Sequence, residues 1–504
     1  MTETNWRIIE LRDGRERVIA DEEFNRQIFQ TAGMMRELGL SGKRVSVLID
    51  NSIESFLIRR AAARIGAFTV NVNYHFTAAE VRYILENSGS AALFAGMNYL
   101  ETAASASTGN QNIGDRRFTL GGSAPGWRNF AEEMAAAAPW TEEPETLTGN
   151  VIYTSGTTGN PKGVVRPPAD RERIEESLTQ FREVMKVGWK PVHLVTGPLY
   201  HSGPSGWAAQ SFMLGGRIII MARFDAEEVL RAIEKYKVTN MHLVPTMMSR
   251  MLDLPEEVKN RYDLSSLIAV QHGAAPCPPH VKQAMIQWWG PVIDEYYGST
   301  EAGIVTYLEA RDALRKPTSV GRPIDDGVEI RILGPDDETL PVGEVGDIYV
   351  RNRPSGEFSY HEAPEKTAGS KKEGWFTNGD MGWLDEEGFL HLSDRRADMI
   401  ISGGVNIYPA EIEAVLHSHP QVFDCAVFGI PGGEWGEMVH AHVQPEKGAV
   451  LTPKDITGFL AEHLARYKLP RSVEFTDHLP RQPNGKIYKR KIREQYWQDQ
   501  QKPI

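Results

Sequence analysis

Cysteine is nearly absent from this chain of 504 residues. Cys277 and Cys425 stand far apart, without histidines at metal-ligand spacing, so neither a disulfide framework nor a cysteine-based zinc site is signalled. Both read as small apolar side chains. Long hydrophobic runs are also missing: no stretch reaches the roughly 18 apolar residues of a membrane-spanning helix. The segment from Met1 to Arg17 is charged and has no apolar signal-peptide core. A cytoplasmic protein without integral membrane association is therefore expected. Positive charge is in deficit, with 55 Lys and Arg against 67 Asp and Glu and a net charge of −12, which argues against a nucleic-acid partner. There is no low-complexity tract and no fixed-period repeat. The Walker A spacing of glycine, lysine and hydroxyl is absent too, which argues against an ordinary P-loop ATPase.

What is present is an alternating pattern over a chain long enough for several folding units. Val45 to Leu48 is apolar, Asn51 or Ser52 can cap a helix through Arg64, Gly66 can end it, and Phe68 to Val72 is strand-like. Thr77-Ala-Ala-Glu80 is a capping box before Val81 to Leu85. Asp225 precedes a helix over Val229 to Tyr236, followed by the strand-like Met241 to Val244. This rhythm predicts an α/β fold with a large N-terminal domain of parallel-rich sheets covered by helices. From about 324 to 394 the elements become short and turn-rich, with Glu329 to Leu333, Gly346 to Arg351, Gly382 to Leu384 and Phe389 to Leu392 strand-like. They form a β-rich subdomain within an N-terminal domain of residues 1–394. Beyond it, a small mobile α+β C-terminal domain is expected over 395–504. Pro409 opens one of its helices, Cys425 to Ile430 is a buried strand, and Thr452-Pro453 opens a helix ending near Tyr467.

The segment Tyr153-Thr-Ser-Gly-Thr-Thr-Gly-Asn-Pro-Lys-Gly163 follows the apolar Val151 to Tyr153. Three glycines and four hydroxyl side chains within it allow close backbone approach and supply many donors, as a triphosphate requires. Composition alone leaves a flexible turn as the competing reading. The segment nevertheless resembles, almost letter for letter, the signature loop of the adenylate-forming superfamily: acyl-CoA synthetases, luciferases and peptide-synthetase adenylation domains. Further similar segments follow in order. They are Leu199-Tyr-His-Ser-Gly203, Gly273-Ala-Ala-Pro276, Tyr297-Gly-Ser-Thr-Glu301, Phe376-Thr-Asn-Gly-Asp380, Asp394 to Gly404, and Asn484-Gly-Lys486. The resemblance runs from about Leu40 to Arg493.

It implies an ATP-dependent carboxylic acid–CoA ligase of the fatty- or aryl-acid type, using ATP, Mg2+ and coenzyme A. Carboxylate and ATP give acyl-AMP and pyrophosphate, and the acyl group then passes to the thiol as AMP leaves. By the same resemblance Lys486 bridges carboxylate and α-phosphate, Glu301 holds the metal, and His201 completes the catalytic set. Thr154, Ser155, Gly156, Thr157, Thr158, Gly159 and Lys162 are placed on the phosphates. Gly273, Ala274, Ala275, Tyr297, Gly298, Ser299 and Thr300 are placed at the nucleotide, with Asp380 and Arg395 at the ribose. Ser402, Gly403 and Gly404 border the pantetheine tunnel, and Trp435 and Tyr467 contact the CoA nucleotide. An indole face suits adenine stacking.

Trp207, Val244, Met247, Gln271 and Gly303, with His201, are expected to line a mostly apolar acyl pocket. His201-Ser-Gly occupies the place of the aspartate that pairs with an amino acid's ammonium in some members, so a simple fatty or aromatic acid is expected. No carrier domain follows Arg493, which favours free CoA as acceptor. Three departures from the family pattern stand out. Ala397 lies at the usual Asp or Lys hinge, Thr-Asn-Gly-Asp replaces Arg-Thr-Gly-Asp, and Val-Val-Arg-Pro-Pro follows Gly163. A luciferase-like monooxygenase and a catalytically lapsed nucleotide-binding scaffold are the alternatives. The oligomeric state is open, a homodimer being one option.

Overall fold

The computed structural model describes residues 6–154, 161–395, 398–402, 405–433, 436–481 and 487–497. Ser155, Gly156, Thr157, Thr158, Gly159, Gly403, Gly404, Trp435, Lys486 and the hinge position Ala397 therefore lie outside the described residues, as does the side chain of Arg395.

Two large sheets carry most of the chain. In a nine-stranded sheet, Trp6–Arg12, Arg217–Met221, Val192–Val195, Asn240–Leu243, Ala269–His272 and Ile293–Ser299 lie side by side in parallel. Antiparallel strands close both of its edges. An eight-stranded sheet has a parallel run through Asn150–Thr154, Phe68–Asn71, Arg44–Leu48, Ala92–Gly96 and Arg117–Leu120. The strand-helix alternation produces this result because a parallel pair needs a crossover, and a helix supplies it while covering a face.

One core joins the two sheets. Ile8, Ile218 and Ile220 from the first and Val45, Val47 and Phe94 from the second belong to a single buried cluster. Helices Asp21–Glu37, Ile53–Arg64 and Ser202–Met213 fill it with Phe24, Phe56 and Phe212, whose rings meet within 6.4 Å of one another. Full burial of each such ring contributes about 1.5–3 kcal/mol. The caps are those read from sequence. Ser52 accepts from the backbone of Ser55, Thr77 accepts from Glu80 in a reciprocal capping box, and Asp225 accepts from Glu228.

A six-stranded antiparallel layer spans Val328–Leu333 to Leu390–Arg395, the β-rich portion expected. Toward the C-terminus a three-stranded sheet of Val422–Pro431, Glu437–Pro445 and Ser472–Phe475 packs one face on helices Pro409–Leu416 and Pro453–Ala461. This small α+β unit completes the fold class expected. One element differs. The helix opened by Thr452 stops at Ala461 instead of continuing to Tyr467. Ala465 is extended, with φ −63° and ψ 144°, and only a short 3-10 turn, Arg466–Lys468, follows. Leu464 and Leu469 both turn toward the core of the unit, a placement that one continuous helix does not give to residues five apart.

Candidate active site

Parallel α/β sheets bind ligands beyond the carboxyl ends of their strands. Here four adjacent parallel strands deliver the sequence motifs to one edge. Val192–Val195 leads to His201 and Gly203, Asn240–Leu243 to Val244 and Met247, Ala269–His272 to Gly273–Ala275, and Ile293–Ser299 to Thr300 and Glu301. Ala274 has φ +67°, a left-handed conformation that costs an alanine about 1–2 kcal/mol. Gly273 cannot carry a side chain, because a Cβ there would lie 2.7 Å from the carbonyl oxygen of Tyr296.

The two large sheets meet at Glu301, which is buried. Its Oε1 accepts hydrogen bonds from the Tyr360 hydroxyl at 3.1 Å and from the Thr154 hydroxyl at 3.4 Å. Both donors belong to the eight-stranded sheet. Lys162, one strand over from Thr154, places its Nζ 5.0 Å from the centre of the Tyr360 ring. Desolvation lowers the Lys162 pKa, the charge of Lys366 adds to this, and Glu301 opposes both. The backbone of the acidic turn is fixed as well. Arg166 donates to the carbonyl oxygens of Thr300 at 3.1 Å and Glu301 at 2.8 Å, and also to that of Ser355. Asn352 donates to the carbonyls of Ala302 at 2.9 Å and Ile304 at 2.7 Å. Ser299 accepts from the amide of Ala302 at 2.9 Å.

Beside this turn the Tyr297 hydroxyl donates to Oδ2 of Asp380 at 2.7 Å, so the aspartate in the Thr-Asn-Gly-Asp segment reaches the strand Ile293–Ser299 that leads into Glu301. Arg395 pairs with Asp380 across the antiparallel ladder. The Ser202 and Thr300 hydroxyls lie 3.1 Å apart, which joins the loop of His201 to the same centre.

An aromatic wall stands behind His201. Trp207 lies 4.9 Å from Phe181, 5.9 Å from Tyr296 and 6.2 Å from His242, measured between ring centres. Nε2 of His242 and the Tyr296 hydroxyl are 2.9 Å apart. Burial, with a smaller contribution from His201, pushes His242 down to about 3, so it is neutral at pH 7. A Cβ on Gly203 would come to 3.3 Å from both His242 and Tyr296. Val244 and Met247 are buried in the core packed on the nine-stranded sheet, and Gln271 is buried with its amide donating to the carbonyl of Met185 at 3.2 Å.

Ser402 ends the strand Ile400–Ser402 and Tyr467 sits on the 3-10 turn Arg466–Lys468, both in the C-terminal part of the chain. Ser402 bridges Gly436, and the amide of its neighbour Ile401 donates to Glu437 at 2.9 Å. Tyr467 is 55% exposed on the short turn that Lys468 ties to Glu411. Sequence reasoning missed Arg166, Tyr360, Tyr296 and His242. Only Arg166 left a trace, as the departure after Gly163; the other three become site residues solely through tertiary contact.

The chain matches the AMP-binding enzyme family over residues 11–355 and the AMP-binding enzyme C-terminal domain over residues 411–486. It is 32% identical over 503 residues to the fatty acid–[acyl-carrier-protein] ligase ScoC of Streptomyces coeruleorubidus, covering 97% of this chain and 93% of that one. It is 33% identical over 475 residues to the long-chain-fatty-acid–CoA ligase FadD13 of Mycobacterium tuberculosis, covering 92% and 90%. The amide bond synthetase McbA of Marinactinospora thermotolerans superposes with a TM-score of 0.85 at 29% identity, covering 98% of this chain and 97% of that one. The protein belongs to the AMP-binding enzyme family, the adenylate-forming superfamily of the acyl-CoA synthetases. It is an AMP-forming acid–thiol ligase.

Proposed function

We propose that the protein joins a fatty or aromatic carboxylic acid to coenzyme A at the expense of ATP, through an acyl-adenylate. The observation that carries this reading is the placement of Glu301. Donors from one sheet hold its carboxylate, next to the strand ends of the other. In the first step a carboxylate oxygen attacks the α-phosphorus, a new P–O bond forms, and the α–β bridge breaks to release pyrophosphate. Negative charge grows on every participant, so fixed donors and cations must meet it.

Thr154 and the loop of Ser155 to Gly159, with Lys162, hold the phosphates, and Lys486 bridges carboxylate and α-phosphate. Glu301 suits Mg2+, since a carboxylate has about four lone-pair sites and its two hydroxyl donors leave capacity for a hard cation. When bound there, Mg2+ offsets charge on the pyrophosphate. Gly273, Ala274, Ala275, Gly298, Ser299 and Thr300 shape the nucleotide site. Tyr297 orients Asp380 for the ribose hydroxyls, with Arg395 beside it.

His201, Trp207, Val244, Met247, Gln271 and Gly303 belong to the acyl chamber. The wall of Trp207, Tyr296 and neutral His242 supports an apolar or aryl acid. In the second step the CoA sulfur attacks the acyl carbonyl and AMP leaves with the shared oxygen. Ser402, Gly403, Gly404, Trp435 and Tyr467 serve that step after rotation of a C-terminal domain, 395–504, against an N-terminal domain, 1–394. The named relatives activate acids but differ in acceptor, one using a carrier protein, one CoA and one forming an amide. CoA-dependent AMP release from ATP, measured across benzoic, cinnamic and short-, medium- and long-chain acids, tests the reading. A preferred acid with CoA-dependent turnover is expected; AMP release that ignores CoA for every acid activated would overturn it.

A further inference from the structure

The three-stranded C-terminal sheet has one face on its helices, occupied by Val439, Ala441 and Val443. Alternation along a strand sends His440 and His442 to the other face. There they meet Phe428, 5.1 and 5.7 Å away, and the Tyr496 ring, 4.9 and 6.2 Å away. In the parallel pairing with Ser472–Phe475, His442 is level with Glu474. None of these groups has a part in the adenylation chemistry described above.

His440 is 1% exposed, and neither of its ring nitrogens has a hydrogen-bond partner among the described residues. Leaving such a buried group unsatisfied costs about 1–3 kcal/mol, so its position calls for a ligand. One nitrogen each from His440 and His442 and one oxygen of Glu474 all lie within 4.8 Å of one another. Nε2 of His442 is 3.3 Å from Oε2 of Glu474, and ~3.3 Å is the edge of a tetrahedron whose metal–ligand bonds are ~2.0–2.1 Å. The Tyr496 hydroxyl donates to the same Glu474 oxygen at 2.6 Å and lies 3.0 Å from Nε2 of His442.

We infer that His440, His442 and Glu474 form a binding site for a divalent transition-metal cation, best matched to Zn2+. Two imidazoles and one carboxylate are a borderline donor set that suits Zn2+ over the all-oxygen preference of Mg2+ and Ca2+. On binding, the Tyr496 hydroxyl gives up His442 and keeps Glu474, orienting the carboxylate as a supporting hydrogen bond does at metal centres. The fourth position is left to water. Tyr496 belongs to the segment 487–497, which Trp497 also anchors by donating to the carbonyl of Gly429 at 3.1 Å. That segment directly follows Lys486, so the cation would fasten the chain just beyond it to the sheet.

Full-length protein freed of metal with a chelator is titrated with Zn2+ against a chromophoric competitor, and separately with Co2+ while visible absorption is recorded. One tightly held equivalent is expected, with the intense d–d bands of tetrahedral Co2+. Glu474→Gln and His440→Gln are each expected to weaken binding by more than the about 10- to 100-fold lost with a supporting partner alone. Glu474 is more than half exposed, so its variant keeps the test valid even where the buried histidine variant misfolds. Absence of a bound equivalent, or Zn2+ binding unchanged in Glu474→Gln, would overturn the assignment.

Discussion

Gly303 follows Glu301 by two residues and has φ +71°. A Cβ there would lie 2.0 Å from Oγ of Ser355 and 2.9 Å from its Cβ. Ser355 cannot withdraw easily. Its carbonyl is held by Arg166 and by Arg173 at 2.8 Å, and its amide donates to Asn352 at 3.0 Å. In Gly303→Ala the left-handed conformation costs about 1–2 kcal/mol, and overpacking adds about 1–3 kcal/mol. The single variant should therefore lose roughly 2–5 kcal/mol, enough to shift a urea midpoint well outside error. Ser355→Gly alone should cost about 0.5–1 kcal/mol through backbone entropy. Combined with Gly303→Ala it removes the collision but not the backbone strain. The double-mutant cycle should then show a favourable coupling of about 1–3 kcal/mol. A Gly303→Ala protein within about 0.5 kcal/mol of wild type, or a coupling near zero, would refute the steric argument.

Two further outcomes are expected, one from the site and one from the buried core. Tyr360→Phe removes a hydroxyl donor to the Glu301 carboxylate, a hydrogen bond to a charged group contributing about 1.5–3 kcal/mol. Adenylation measured by ATP–pyrophosphate exchange should fall about 10- to 100-fold, and an unchanged rate at limiting Mg2+ would count against Glu301 as the metal's holder. For pH, His193 and His242 are both buried, and desolvation pushes each from 6.5 to about 3, with the charge of His242 adding to it at His193 and that of His201 at His242. Between those values the unfolded chain binds more protons than the folded one, so stability falls as pH drops below about 6.5. From pH 7.5 to 5.5 each histidine removes about 1.4 kcal/mol. Denaturation midpoints that stay level over that range would contradict the neutral, buried state of the pair.

Local chemistry made much of the fold readable. Thr77 and Glu80 announce a helix start because the cap needs only those two side chains three residues apart. Likewise the alternation from Arg44–Leu48 to Phe68–Asn71 carries its own period. The pattern predicts too long a helix from Pro453 because its end at Ala461 goes with Leu464 and Leu469 packing inward, a tertiary preference that the apolar pattern does not encode. The same limit holds at the site. Glu301 and Asp380 are legible as motif members, whereas Tyr360 becomes relevant only when its strand pairs with Lys162–Val165. Arg166 was visible only as a departure; it proves to be the guanidinium that gathers the carbonyls of Thr300, Glu301 and Ser355, a task suited to a planar fork of donors.

The central claim, adenylation followed by thioester formation at separate sets of residues, is tested most directly with Lys486→Ala. Acid-dependent ATP–pyrophosphate exchange and the conversion of supplied acyl-adenylate plus CoA to acyl-CoA are measured on the same preparation. The account predicts loss of exchange, with ATP binding and thioester formation retained. Exchange at the wild-type rate would contradict it.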